Sequence, residues 1–188
     1  MKKLILASSS PRRKDILEKT GFDFVIIPSS YEEVLENTDF TYEKIENLAF
    51  NKAKYVVDTL TEEALVIGAD TVVVLDGEIL GKPKDKNDAI NMLQKLSGKI
   101  HSVVTSICVI NSENFEQQVL STTSHVEFEQ LTIEKIKHYI ENYNPLDKAG
   151  SYGVQELPDG FVKNIEGSFE NIIGLCSSAT LSILKKFC

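Results

Sequence analysis

The chain has 188 residues and a mass of 21.0 kDa, enough to bury one substantial core, and its 42% hydrophobic and 26% charged content is that of a soluble protein. A formal net charge of −8 argues against a general nucleic-acid binder, which needs a broad basic face. It still allows a local basic pocket for a small anion, because charges are screened over roughly 8–10 Å.

No apolar run approaches the roughly 20 residues of a membrane span. The opening "MKKLILASSS" has only about five apolar residues, too few for a signal peptide, and reads as a first strand. Residues 11–20 follow as a helix, with Ser10 as N-cap, Pro11 at the first helical position and Gly21 as the stop. "FDFVIIP" is a second strand, and 29–40 a polar, acidic loop. Thr41 caps a long helix whose apolar positions Ile45, Leu48, Ala49, Ala53, Val56, Val57 and Leu60 keep helical spacing. "ALVIGADTVVVL" is strongly β, and Asp76-Gly77 is a hairpin turn. A helix over 86–96 stops at Gly98. Two β-rich runs, 100–110 and 115–130, are joined by "NSEN", and Thr132 caps a helix to Asn142. "NPLDKAGSYGVQ" reads as loop and strand, "LPDG" as a turn, "FVKNI" as a strand and 171–187 as one closing helix. Helices interleaved with hairpins predict a mixed α/β sheet in one domain, 1–188. Cys108, Cys176 and Cys188 lack C-x-x-C spacing, so neither a disulfide framework nor a zinc site is indicated, and the cytoplasm is the expected compartment.

Several residues stand out against this background. "SSSPRR", Ser8 to Arg13, places hydroxyls, free backbone N–H groups and two guanidiniums at a helix N-terminus, a ready anion site. A capped helix with two solvated arginines explains the stretch equally well. Neighbouring helix positions lie about 100° apart, so Arg12 and Arg13 are expected to do different jobs. Asp70 sits with Thr71 in an otherwise apolar strand, and burying a carboxylate there is costly unless it is paired or works at a site. The plainer alternative is a strand end open to solvent. Lys52 interrupts an apolar helix face and could snorkel. Lys82, between Gly81 and Pro83, and Lys148, in "LDKAG", are either anion ligands or turn residues. Glu33, taken alone, belongs to an acidic run with Glu32 and Glu36. His101, His125 and His138 lack metal-ligand spacing and read as structural. Cations, isolated carboxylates and a helix N-terminus together suit metal-assisted attack on a polyphosphate.

"LASSSPRR", the Glu33 loop, "NKA" around Lys52, "GADTVV", "GKP", "LSG..H.V.T" and "PLDKAGSYGVQ", in order within a likeness that runs from about Leu4 to Leu175, resemble the Maf proteins. These are nucleoside triphosphate pyrophosphatases, also called septum formation inhibitors. The resemblance implies an elongated mixed sheet, two lobes with a nucleotide cleft between them, a divalent cation (Mg²⁺ or Mn²⁺), and hydrolysis to monophosphate and diphosphate. It is compatible with a homodimer and implies neither a nucleic-acid polymer nor a membrane as partner. By motif match, Asp70 is the proton acceptor and Glu33 assists through metal or water, while Ser9, Arg13, Lys52 and Lys82 line the triphosphate. Arg12, Thr71 and Gln155 match the subgroup acting on dTTP and UTP, where that acting on 7-methyl-GTP carries Trp, Gln and Glu. A side-chain amide can match the N3–H and carbonyls of uracil or thymine. A Trp stacks better on a cationic methylated ring. Cys176 replaces the proline usual after Gly-Leu in similar proteins, a change that touches the last helix and no expected catalytic group. A second reading of the same residues is a nucleotide-binding regulator of cell division without turnover.

Overall fold

A computed structural model describes residues 2–32 and 38–187. Its centre is a seven-stranded sheet built from β1 (Lys3–Leu6), β2 (Phe24–Ile26), β3 (Ala64–Leu75), β4 (Glu78–Leu80), β5 (Ile100–Asn111), β6 (Gln117–Phe128) and β7 (Val162–Glu166). The path runs β2-β1-β3-β5-β6-β7, with β4 paired to β3. Pairings of β1 with β2 and β3 are parallel, and all others are antiparallel, as the mixed α/β expectation requires. The helices are α1 (Pro11–Glu18), α2 (Tyr42–Val57), α3 (Lys86–Leu96), α4 (Ile133–Asn142), α5 (Phe169–Ile173) and α6 (Ser177–Leu184).

Two features of this topology create a site. First, β1 lies between its successors β2 and β3, so the chain leaves it in one direction and returns on the other side. Such a switch point opens a crevice at the carboxyl end of the strand. Second, β1 stops at Leu6, opposite Ile67, whereas β3 runs on to Leu75 with β5 beside it. The second half of β3 therefore forms a floor beyond the end of β1.

Side-chain alternation along β3 sends neighbouring residues to opposite faces. Ala64, Val66, Val72 and Val74 meet α2 through Ile45, Leu48, Ala49, Ala53 and Val56. Leu65, Ile67 and Ala69 meet α1 and α6, while Val73 and Leu75 join the core of α3 and α4. On this second face the two packed regions part over Thr71, which lines the cleft, as Asp70 does from the α2 face. Gly68 brings α2 close: a Cβ there would stand 2.2 Å from the Ala49 carbonyl oxygen and 2.6 Å from the Ala53 nitrogen.

The expected caps are present at Ser10, Thr41 and Thr132, and the β3–β4 turn has positive φ at both Asp76 and Gly77. Two expectations need correction. The run 149–155 is a 3-10 turn, Ala149–Ser151, followed by a second turn, and not a strand. Gly150 and Ser151 both have positive φ, which no ladder accommodates, and the Gly150 amide donates to the Gly81 carbonyl at 3.0 Å. The closing helix is two helices, broken at Gly174 with φ 131°. Cys176 is the N-cap of α6 without a side-chain cap bond; Glu170 supplies it instead, its Oε2 accepting from the Ser177 amide at 3.0 Å and from the Ser177 hydroxyl. Among the described residues no helix is long and apolar enough to cross a membrane.

Candidate active site

A cavity of about 580 Å³ opens at the end of β1. Ser9, Arg12, Arg13, Lys52, Asp70, Thr71, Lys82 and Gln155 all line it. Glu33 lies outside the described residues. The structure thus gathers every described residue singled out for catalysis, anion binding or specificity, from segments spread over most of the chain.

Asp70 points to the α2 face of β3 and is ion-paired with Lys52, whose Nζ donates to its Oδ1. Both are nearly closed to solvent, with side chains 13% exposed for Lys52 and 7% for Asp70. The apolar neighbours of Lys52 on α2 seat that helix on β3, and the absent Cβ of Gly68 sets the spacing that lets the ammonium reach. The ion pair answers both open alternatives: Asp70 is no solvated strand end, and Lys52 does not snorkel outward.

Thr71, facing the other way, meets Arg13. The Arg13 guanidinium donates to Thr71 Oγ1 at 3.2 Å, to Ser8 Oγ at 3.3 Å and, through Nε, to the Gly174 carbonyl at 2.9 Å. The break between α5 and α6 is what turns that carbonyl toward it. Thr105 lies opposite Thr71 on β5; its hydroxyl donates to the Asn171 carbonyl at 2.9 Å and stands 2.9 Å from that of Thr71. Having spent its hydrogen on Asn171, Thr105 accepts from Thr71, which in turn accepts from Arg13. Arg13 is therefore fixed by a directional chain running into the sheet.

Arg12 diverges from its neighbour, its Nη1 lying 3.9 Å from Asp147 Oδ2. Asp147 also accepts from Lys148 at 2.9 Å. Burial works to raise the Asp147 carboxyl, but the Lys148 hydrogen bond and the charges of Lys148 and Arg12 outweigh it and hold it below the usual range. Gln155 is exposed on the turn that follows Gly153, and Lys82 is exposed after β4.

Matching these positions to known sequences decides the family. A model described as "Maf-like protein" matches residues 3–187. The chain belongs to the Maf-like family. Among its relatives, one named "dTTP/UTP pyrophosphatase" from Ruminiclostridium cellulolyticum is 46% identical over 99% of this chain and 96% of its own length. Proteins of the same name from Clostridium novyi and Thermotoga maritima are 44% and 45% identical, each over 92% of this chain, and over 91% and 83% of their own lengths.

Within this Maf-like chain, His101 confirms its structural reading. It is buried, with Nε2 2.7 Å from the Tyr152 hydroxyl, and burial lowers its pKa to about 4. Its Nδ1 makes no hydrogen bond, so Tyr152 is its one hydrogen-bond partner among the described residues. Reading the sequence by residue type misses Thr105, Asp147, Glu156 and the Gly174 carbonyl. The "H.V.T" and "LDKAG" motifs contain the first two of these, so the signal was present without its chemistry.

Proposed function

We propose that the cleft hydrolyses dTTP and UTP to the nucleoside monophosphate and diphosphate, with water attacking the α-phosphate. The observation that carries this is the meeting of the largely shielded Asp70–Lys52 pair with Arg13 and the α1 N-terminus in one cavity, in a chain whose full-length relatives bear the name given above. Among the described lining residues, basic side chains outnumber acidic ones by two on a protein of net charge −8. That local excess suits a triphosphate.

In its ion pair Asp70 Oδ1 accepts from the Lys52 ammonium, and a group taking a proton from water must likewise present an accepting oxygen. Lys52 holds that carboxylate against the α2 face and places positive charge beside the reacting phosphate. Ser9, Arg13 and Lys82 bind phosphate oxygens. Arg13 is oriented beforehand by Ser8, Thr71 and Gly174, which lowers the cost of ordering it on binding. Arg12, Thr71 and Gln155 select the base, and Glu33 serves as the second carboxylate.

The donor set fits a hard divalent cation. Among the described residues no three His, Cys, Asp or Glu side chains cluster. Mg²⁺ and Mn²⁺ suit one or two carboxylates plus substrate phosphates, and Asp70 with Glu33 would hold the ion. When bound, the ion neutralises triphosphate charge.

The test is a panel of dTTP, UTP, CTP, dATP and 7-methyl-GTP, with and without Mg²⁺ or Mn²⁺, followed by detection of diphosphate. Metal-dependent diphosphate and monophosphate from dTTP and UTP are expected. Orthophosphate as the first product, or nucleotide binding without turnover, would overturn the proposal.

A further inference from the structure

Lys148 lines the cavity, yet its surroundings are not those of a phosphate ligand. Its side chain is 6% exposed, and Nζ donates to the Asn144 carbonyl at 2.6 Å and to Asp147 Oδ1 at 2.9 Å, and stands 3.1 Å from Glu156 Oε2. An ammonium has three hydrogens, and three acceptors surround it.

The partners connect two distant parts of the cleft. Asp147 bridges Lys148 to Arg12 on α1, its other carboxylate oxygen lying 3.9 Å from Arg12 Nη1. Glu156 follows Gln155 directly and closes a turn in which its amide donates to the Gly153 carbonyl at 2.9 Å. Gly153, at the start of that turn, rests on the Lys148 stem: a Cβ there would stand 2.8 Å from Lys148 Cε and 3.0 Å from Cδ. Both ends of the turn that carries Gln155 are thus clamped to one buried lysine, which through Asp147 also anchors Arg12.

We propose that Lys148 is a positioning residue for base selection: it fixes the distance between Arg12 and Gln155, so that the two together gauge a pyrimidine, and it makes no contact with the triphosphate. This rests on the reading of the cleft as a pyrimidine nucleotide site. The charges alternate from Arg12 through Asp147 and Lys148 to Glu156, so the clamp adds no net charge at the base end.

The experiment compares Lys148→Met with Lys148→Arg and Glu156→Gln, with the fold checked by circular dichroism. The binding probes are dTMP, which has a base, and inorganic tripolyphosphate, which has none; turnover of dTTP, UTP and CTP is measured beside them. Lys148→Met is expected to weaken dTMP and raise the dTTP KM by about tenfold, with kcat and tripolyphosphate binding within about twofold. Preference for UTP over CTP falls, and Lys148→Arg recovers most of the loss. Glu156→Gln, which keeps the ammonium, shifts the preference in the same direction by about two- to threefold. Equal weakening of dTMP and tripolyphosphate, a fall in kcat alone, or an unchanged preference in Glu156→Gln would overturn the inference. Should the unmodified protein bind dTMP but not turn over dTTP or UTP, the proposed activity fails, while the binding comparison still decides the role of Lys148. Failure to bind dTMP at all would overturn both.

Discussion

Two lysines, Lys148 buried and Lys52 nearly closed to solvent, stand in the walls of one cleft, both ion-paired, and they are built in opposite ways. At the Lys52–Asp70 pair both groups are shielded, with Asp70 on a central strand and Lys52 on the long helix packed against it. At Lys148 the ammonium is shielded but its carboxylates reach water, Asp147 being 52% and Glu156 39% exposed. A carboxylate trapped on a rigid floor is placed for chemistry, because it can neither swing away nor be fully hydrated. An ammonium trapped beneath a loop, gripped by solvated carboxylates, holds the loop. On the proposed reading, the first wall reacts and the second selects.

The sharpest way to break this contrast is at Asp70. Asp70→Asn should lower diphosphate release by a factor of about 10² to 10⁴ with the fold unchanged, as far-ultraviolet circular dichroism would confirm. A loss of less than tenfold would take catalysis away from this wall. Next in size is an effect on stability behind the selecting wall, where His101 supports Tyr152. His101 is a base whose pKa falls from 6.5 to about 4 on folding. The unfolded chain therefore binds the proton first, and stability falls as pH drops from 6.5 toward 4, by up to about 3 kcal/mol. Denaturant midpoints across that window should show the decline, and His101→Asn should flatten it.

A third change probes the reacting wall through its backbone. Gly68→Ala puts a methyl group against the Ala49 carbonyl oxygen and pushes α2 off β3. It should cost about 1–3 kcal/mol by chemical denaturation and lower turnover as Lys52 loses its reach to Asp70. The smallest effect is expected at Thr105. Replacing it with Val removes the hydroxyl that accepts from Thr71, loosening Arg13. The KM for every triphosphate should rise roughly threefold, with Thr105→Ser restoring it. A change confined to one base would mean that Thr105 acts through Thr71 at the base and not through Arg13 at the phosphates.

Much of this was legible in the sequence because the residues broke local rules. An Asp in an apolar strand and a Lys in an apolar helix face each declared themselves, but nothing in the chain said that they pair, since Lys52 and Asp70 are joined only by packing of α2 on β3. Thr105 was silent because threonine is ordinary in a strand, and its role appears only when β5 comes into register with Thr71. The end of "NPLDKAGSYGVQ" reads as a strand in sequence, yet the positive φ of Gly150 and Ser151 makes it a turn. The single closing helix expected over 171–187 likewise gives way at Gly174, where the chain breaks and presents a carbonyl to Arg13. In both places a conformational demand of the site overrides local propensity.

If water activated at Asp70 attacks the α-phosphate, turnover of dTTP with Mg²⁺ in ¹⁸O-labelled water leaves its mark on the products. One ¹⁸O is expected in dTMP and none in diphosphate; label in diphosphate, or release of labelled orthophosphate, would show attack elsewhere on the triphosphate.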